Sequence, residues 1–109
     1  MDDCLFCRIV NGDINTEFVL ENRDAVVFHD ISPQAPVHLL VVPRIHVADI
    51  RSAPPELLGR LFQTANEAAA LAGLDQFRYV VNTGASAGQS VFHLHVHLLG
   101  GRTLNWPPG

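Results

Sequence analysis

The side chains in this sequence best suited to chemistry are its six histidines, His29, His38, His46, His93, His95 and His97. Three of them alternate in the run Val91-Phe92-His93-Leu94-His95-Val96-His97-Leu98. Alternate side chains of a strand share a face. Phe92, Leu94, Val96 and Leu98 would therefore pack one side, while three imidazoles line the other at intervals of roughly 6.5–7 Å. Such a row admits three uses: a solvated face rich in histidine, a three-histidine metal site to which His38 could add a ligand, or a catalytic row. A straight strand converges poorly on one ion, so one or two of the three would bind it. Neutral imidazole is well populated at pH 7, since its unperturbed pKa is about 6.5, and it can attack phosphorus to give a covalent intermediate.

The segment Gly84-Ala85-Ser86-Ala87-Gly88-Gln89-Ser90 leads straight into the histidines. Its glycines and serines offer close backbone approach, amides and hydroxyls, the chemistry of an anion-binding nest. That combination favours an anion beside imidazoles. Cys4 and Cys7 are the only cysteines and stand three apart. They form a redox pair, half of a metal site or a chance pair, since a disulfide framework needs more cysteines. A redox role is the weaker reading, because no strand of a βαβ unit precedes them.

These residues must be positioned by a small set of elements. Asp2-Asp3 followed by Cys4 to Gly12 reads as a short helix, with Asp3 accepting first-turn amides, Leu5, Phe6 and Ile9 on one face, and Gly12 ending it in a left-handed conformation. Phe18–Leu20 and Ala25–His29 predict a hairpin turned by Asn22-Arg23-Asp24. Val37 to Val42 is a nearly all-apolar strand stopped by Pro43. Pro54 and Pro55 open a helix that runs to about Ala72, with Leu57, Leu58, Leu61, Phe62, Ala65, Ala68 and Ala72 as its buried stripe. Phe77 to Val81 and Val91 to Leu99 are the remaining strands, and a tail closes the chain after Gly100-Gly101. Hairpins, one long helix and no strict βαβ alternation argue for an α+β fold with an antiparallel sheet.

At 109 residues, with 48% hydrophobic and 17% charged, the chain fits one domain with a buried core. A formal charge of −4 argues against a coat for nucleic acid or for an anionic membrane. No basic, apolar leader opens the sequence and no stretch suits a bilayer, so the expected compartment is the cytoplasm.

His93-Leu94-His95-Val96-His97-Leu98-Leu99 fits the histidine triad signature, and the chain resembles that superfamily in its nucleotide-binding Hint branch. Further blocks carry the resemblance in order: Phe28 to Pro36, His38, Val80-Val81-Asn82, Gly88-Gln89-Ser90-Val91 and Trp106-Pro107-Pro108-Gly109. The resemblance implies an α+β homodimer in which two five-stranded sheets join into one of ten strands, with the extended tail, residues 100–109, associated with the dimer. It also implies hydrolysis of purine nucleoside 5′-phosphoramidates or acyl-nucleotides through a nucleotidyl-histidine. On that mapping His95 is the nucleophile, His97 contacts the phosphate and protonates the departing nitrogen, and Ser90 hydrogen-bonds the phosphate or leaving group. His38 stands behind them. Asp30 takes the ribose hydroxyls, and Phe6, Ile9, Phe28, Ile31 and Leu40 form the base slot with His29 at its edge. Asn82 and the Gly88, Gln89 and Ser90 backbone hold the phosphate, and Trp106 is expected at the nucleotide site.

Cys4 and Cys7 depart from many Hint-branch members and are similar to zinc-bearing members of the wider superfamily. That likeness implies a structural Zn2+ held by Cys4, Cys7, His46 and His93, a closed tetrahedral donor set. Two rivals stay open: a dinucleoside polyphosphate hydrolase similar to the Fhit branch, and a non-catalytic nucleotide sensor or scaffold.

Overall fold

The computed structural model describes residues 3–109; Met1 and Asp2, the latter part of the expected helix start, lie outside them. In chain order the elements are α1 (Leu5–Val10), β1 (Leu20–Glu21), β2 (Ala25–His29), β3 (Val37–Pro43), α2 (Pro55–Leu71), β4 (Phe77–Val80) and β5 (Val96–Gly100), with single 3-10 turns at Ile50–Ser52 and Ala85–Ala87. The sheet has five strands in the order β1-β2-β3-β5-β4, and all its pairings are antiparallel. The expected α+β architecture is therefore present.

Two packed faces explain the apolar run of β3. Val27, Leu39, Val41, Val96 and Leu98 meet Leu61, Ala65, Ala68 and Ala69 of α2 in one core. Val26, Phe28, Leu40 and Val42 point the other way and pack with Phe6 and Ile9 of α1 in a second. A strand buried on both faces cannot alternate with polar residues, hence the near-continuous hydrophobic pattern. Register then places the chemistry: Leu40 of β3 stands opposite His97 of β5, so His38, two residues away, shares the α1 face of the sheet with His97.

The expected elements hold in outline and differ at their ends. Asn22 makes the predicted hairpin turn, its Oδ1 accepting from the amides of Asp24 and Ala25 at 2.8 and 2.9 Å. α1 is capped by Cys4, not Asp3: the Cys4 thiol accepts from the Cys7 amide at 3.3 Å. Pro54 precedes α2 and Pro55 is its first residue. On α2, Thr64 and Ala69 are buried where the stripe had Leu58, Phe62 and Ala72, which are only partly covered. The largest correction concerns the last strand. Residues 91–93 form a bend and β5 begins only at Val96, which turns Phe92 outward at 50% exposure and sinks His93 to 0%. The three histidines do not form a row.

Candidate active site

A cavity of about 710 Å³ opens over the α1 face of the sheet, within the range of small-molecule sites. Phe6 and Ile9 of α1, Phe28 of β2 and Leu40 of β3 give it apolar walls. His29, Asp30 and Ile31 lie along the β2 end, and Asn82, Gly88, Ser90, His95 and His97 bring the polar groups. Twelve of the residues expected at a nucleotide site thus share one cavity. Ile31, at 99% exposure, offers its whole side chain to whatever binds.

The hydrogen bonds of the two inner histidines determine where their protons sit. His95 Nδ1 lies 2.8 Å from the carbonyl of His93, which can only accept. Nδ1 therefore carries the proton and Nε2 keeps its lone pair. Burial holds His95 below the ordinary imidazole range, the bond to His93 and the charge of Asp30 opposing, so the ring is a neutral base at pH 7.

His97 has the opposite arrangement. The Gln34 amide donates to His38 Nδ1 at 3.0 Å, so a neutral His38 carries its proton on Nε2. That Nε2 lies 2.9 Å from His97 Nδ1 and 3.4 Å from Asp30 Oδ2. His38 donates to His97 Nδ1, which leaves the His97 proton on Nε2. Burial, then the neighbouring His95 and His38 rings, lower the His97 pKa to about 4, with the Asp30 carboxylate opposing them. One residue thus offers a lone pair and its neighbour an N–H, with ring centroids 5.1 Å apart. Asp30 also closes a turn, its Oδ1 accepting from the Ser32 amide at 2.8 Å.

Cys4, Cys7, His46 and His93 form a second constellation whose donor atoms all lie within 4.8 Å of one another. His93 Nε2 donates to the Pro43 carbonyl at 2.8 Å, which leaves its Nδ1 as a lone pair facing the cluster. Burial lowers the His93 pKa, the bond to Pro43 opposing, and so favours that neutral form. His46 Nδ1 is 3.2 Å from His93 Nδ1, and the thiol–imidazole contacts are 3.3–3.5 Å. A tetrahedral zinc ion would set about 3.3 Å between nitrogens and about 3.6 Å between sulfur and nitrogen, from its usual bond lengths. The donor set and its spacing therefore fit such an ion. Asp30, His38 and His97 also cluster, but there a proton fills the gap between the rings and no ion is needed.

The loop before the histidines is more ordered than its composition suggests. Gly84 and Gly88 flank a 3-10 turn, and Gly88 adopts φ +104°, a conformation side chains disfavour. A β-carbon there would lie 3.3 Å from the Asn82 amide nitrogen, so the glycine keeps Asn82 and the loop in close approach. Gln89 turns inward: its Oε1 accepts from the Gly84 amide at 2.9 Å, and its Nε2 donates to the carbonyls of Ala48 and Val91. Its side chain braces the loop rather than lining the cavity. The Gly88 and Gln89 amides bond Ala85 and Gly84, so neither is free as a nest amide in this conformation.

Trp106 also stands apart from the cavity of its own chain, at 81% exposure. Arg102 binds the Gln34 carbonyl and Arg78 binds that of Asn105, which ties the tail to the segment before β3 and to β4. Conversely, Asn15, Thr16 and Glu17 form a rim of the cavity that sequence reasoning missed. They lie in an irregular connection with no periodicity to signal a facing direction.

Comparison with known proteins agrees with this geometry. The family model for the HIT domain matches residues 11–104. A HIT-like protein of Synechocystis sp. is 46% identical over 112 residues, covering 99% of this chain and 98% of that protein. The crystal structure of a HIT family hydrolase from Legionella pneumophila Philadelphia 1 superposes with a TM-score of 0.94 at 43% identity, covering 98% of this chain and all of that one. A histidine triad protein from Clostridium difficile superposes at 0.91 with 36% identity, covering 96% of each. With the matched segment spanning the whole sheet and all six histidines, the chain belongs to the HIT domain family.

Proposed function

We propose that this protein hydrolyses purine nucleoside 5′-phosphoramidates and acyl-nucleotides through a covalent nucleotidyl-histidine on His95. The observation that carries the reading is the pair of opposed tautomers, a lone pair on His95 Nε2 beside an N–H on His97 Nε2. In the first step His95 Nε2 bonds to the α-phosphorus as the bond from phosphorus to the leaving nitrogen breaks. An anionic phosphate entering the cavity favours the cationic form of His97. Its second proton, at Nδ1, and the Nε2 proton of His38 then both turn to Asp30 Oδ2, 4.0 and 3.4 Å away, in place of the His38–His97 hydrogen bond. His97 gives its Nε2 proton to the leaving nitrogen. Water then attacks phosphorus, its proton returns to His97, and His95 departs as neutral imidazole. Ser90 and Asn82 hold the phosphate oxygens, and the apolar walls take the base.

Cys4, Cys7, His46 and His93 hold a structural zinc ion, which would fix α1 to the chain around His46 and His93. Zinc enters no step of the reaction. β4 is an edge strand with Phe77 partly exposed, and that open edge supports the expected homodimer, in which two sheets would pair through it. HIT family hydrolases, as the solved relatives are described, make the hydrolytic reading the natural one for this cavity.

The test is turnover of adenosine 5′-phosphoramidate by wild type and by His95→Ala, with intact mass taken early in the reaction. The expected result is turnover by the wild type alone, with an added AMP mass that the variant lacks. Faster turnover of a diadenosine polyphosphate than of the phosphoramidate would favour the Fhit-like reading. Binding of AMP with no turnover of either compound would favour a nucleotide sensor.

A further inference from the structure

We infer that the Cys4–Cys7–His46–His93 cluster controls the affinity of the cavity for nucleotide, so that metal occupancy and nucleotide binding are linked. The inference rests on the nucleotide and metal readings above. None of the four ligands lines the cavity, so any influence on a bound nucleotide must pass through other residues. Two routes are visible.

The first is α1. It has six residues, far fewer than an isolated helix needs in water, so its place depends on what clamps it. Cys4 and Cys7 reach the imidazoles of His93 and His46. Between them in sequence, Phe6 lies edge-on to His93, His95 and Phe28, with centroids 6.0, 5.0 and 5.7 Å apart. Phe6 and Ile9 are also cavity walls. A metal that fixes both thiols therefore fixes one wall of the nucleotide site.

The second route is His93 itself. Its Nδ1 faces the cluster, its Nε2 donates to Pro43, and its carbonyl accepts the Nδ1 proton of His95. The ring that would bind metal and the carbonyl that orients His95 belong to one buried residue. Tilting the ring after metal loss moves that carbonyl, and with it the imidazole that faces the phosphate. His93 is thus a positioning residue for His95 as well as a metal ligand.

Linkage is reciprocal: whatever factor metal adds to nucleotide affinity, nucleotide must add to metal affinity. The experiment measures both directions on the full chain. AMP affinity is determined by calorimetry for zinc-loaded and chelator-stripped protein, and zinc affinity by competition with a chromophoric chelator with and without AMP. The expected result is AMP binding about tenfold weaker without zinc, and zinc held tighter with AMP by the same factor. Because cysteine variants could simply unfold, His46→Ala removes a half-buried ligand while leaving α1 and His93 intact, and circular dichroism verifies its fold. It should lose zinc and bind AMP several-fold more weakly, and His46→Cys should restore both. Equal AMP affinity in loaded and stripped protein, or a folded zinc-free His46→Ala that binds AMP like wild type, would overturn the linkage. AMP binding to neither form would overturn the nucleotide reading, and a failure to take up zinc would overturn the metal reading, each taking the linkage with it.

Discussion

His46–His93 and His38–His97 are two histidine pairs with nearly the same nitrogen–nitrogen separation, 3.2 and 2.9 Å. Their partners make them different devices. His93 gives its one proton outward to the Pro43 carbonyl, so what faces His46 and the two thiols is a lone pair. His38 accepts a hydrogen bond from the Gln34 amide at its outer nitrogen, so what faces His97 is an N–H. The first gap suits a cation, and the second is a link along which a proton is held in place. A single backbone contact at the outer nitrogen therefore decides between a metal site and an acid–base site. His95 stands between the two systems, oriented by the carbonyl of the first and adjacent to the acid of the second.

The sharpest way to break the comparison is to remove His95. His95→Ala should lower turnover of a nucleoside phosphoramidate by about 10⁴-fold or more, as loss of a covalent nucleophile does, while zinc content by elemental analysis stays that of wild type. Loss of zinc together with activity would show that the two systems are one. Stripping the metal should produce the next largest effect. A ligand at a thousandfold excess over its dissociation constant contributes about 4 kcal/mol to stability. Chelation should therefore lower the melting temperature by about 10–20 °C, a shift absent after chelator treatment of His46→Ala.

His38→Ala sharpens the acid side. It removes the donor that fixes the His97 tautomer, so kcat for a phosphoramidate should fall about 10²-fold. An acyl-nucleotide, whose carboxylate leaves without a proton, should be affected less. Equal losses on the two substrates would show that His38 supports folding only. The pH dependence of stability gives a smaller effect with a definite sign. His93, His95 and His97 all have pKa values lowered by burial, His97 to about 4. The folded state therefore binds protons less readily than the unfolded chain, whose histidines titrate near 6.5. The stabilisation is fully present above pH 6.5 and is lost as pH falls towards 4. Denaturation midpoints measured across that range should fall on acidification. Smallest of all, Trp106→Ala should change the stability of the isolated chain by no more than about 0.5 kcal/mol, since its side chain is mostly exposed.

The readable and unreadable parts of this molecule divide along physical lines. β3 was legible as an unbroken apolar run, the turn at Asn22 from the chemistry of Asn22-Arg23-Asp24, and most of the α2 core from helical periodicity. The candidate site was legible as a set of residues: the chemistry-bearing side chains from Phe6 to His97 were named, and most share the cavity. What alternation could not show was the bend at residues 91–93. A run that alternates like a strand is interrupted there because His93 is drawn to Cys4, Cys7 and Pro43, contacts that span 50–89 residues of chain. Gln89 is a similar case: its backbone was expected at the phosphate, but its amide bonds the Gly84 carbonyl while its side chain braces the loop, contacts that no local pattern announces. The tautomers, on which the chemistry depends, are set by backbone carbonyls and amides that no side-chain pattern encodes.

The most direct test of this division of labour is the protonation pattern of the rings, read by two-bond nitrogen–proton NMR of 15N-histidine-labelled, zinc-loaded protein at neutral pH. The account predicts the proton on Nδ1 of His95 and on Nε2 of His38, His93 and His97, with the Nδ1 nitrogens of His46 and His93 bearing the shifts of metal ligands. A proton on Nε2 of His95, or on Nδ1 of His93, would contradict it.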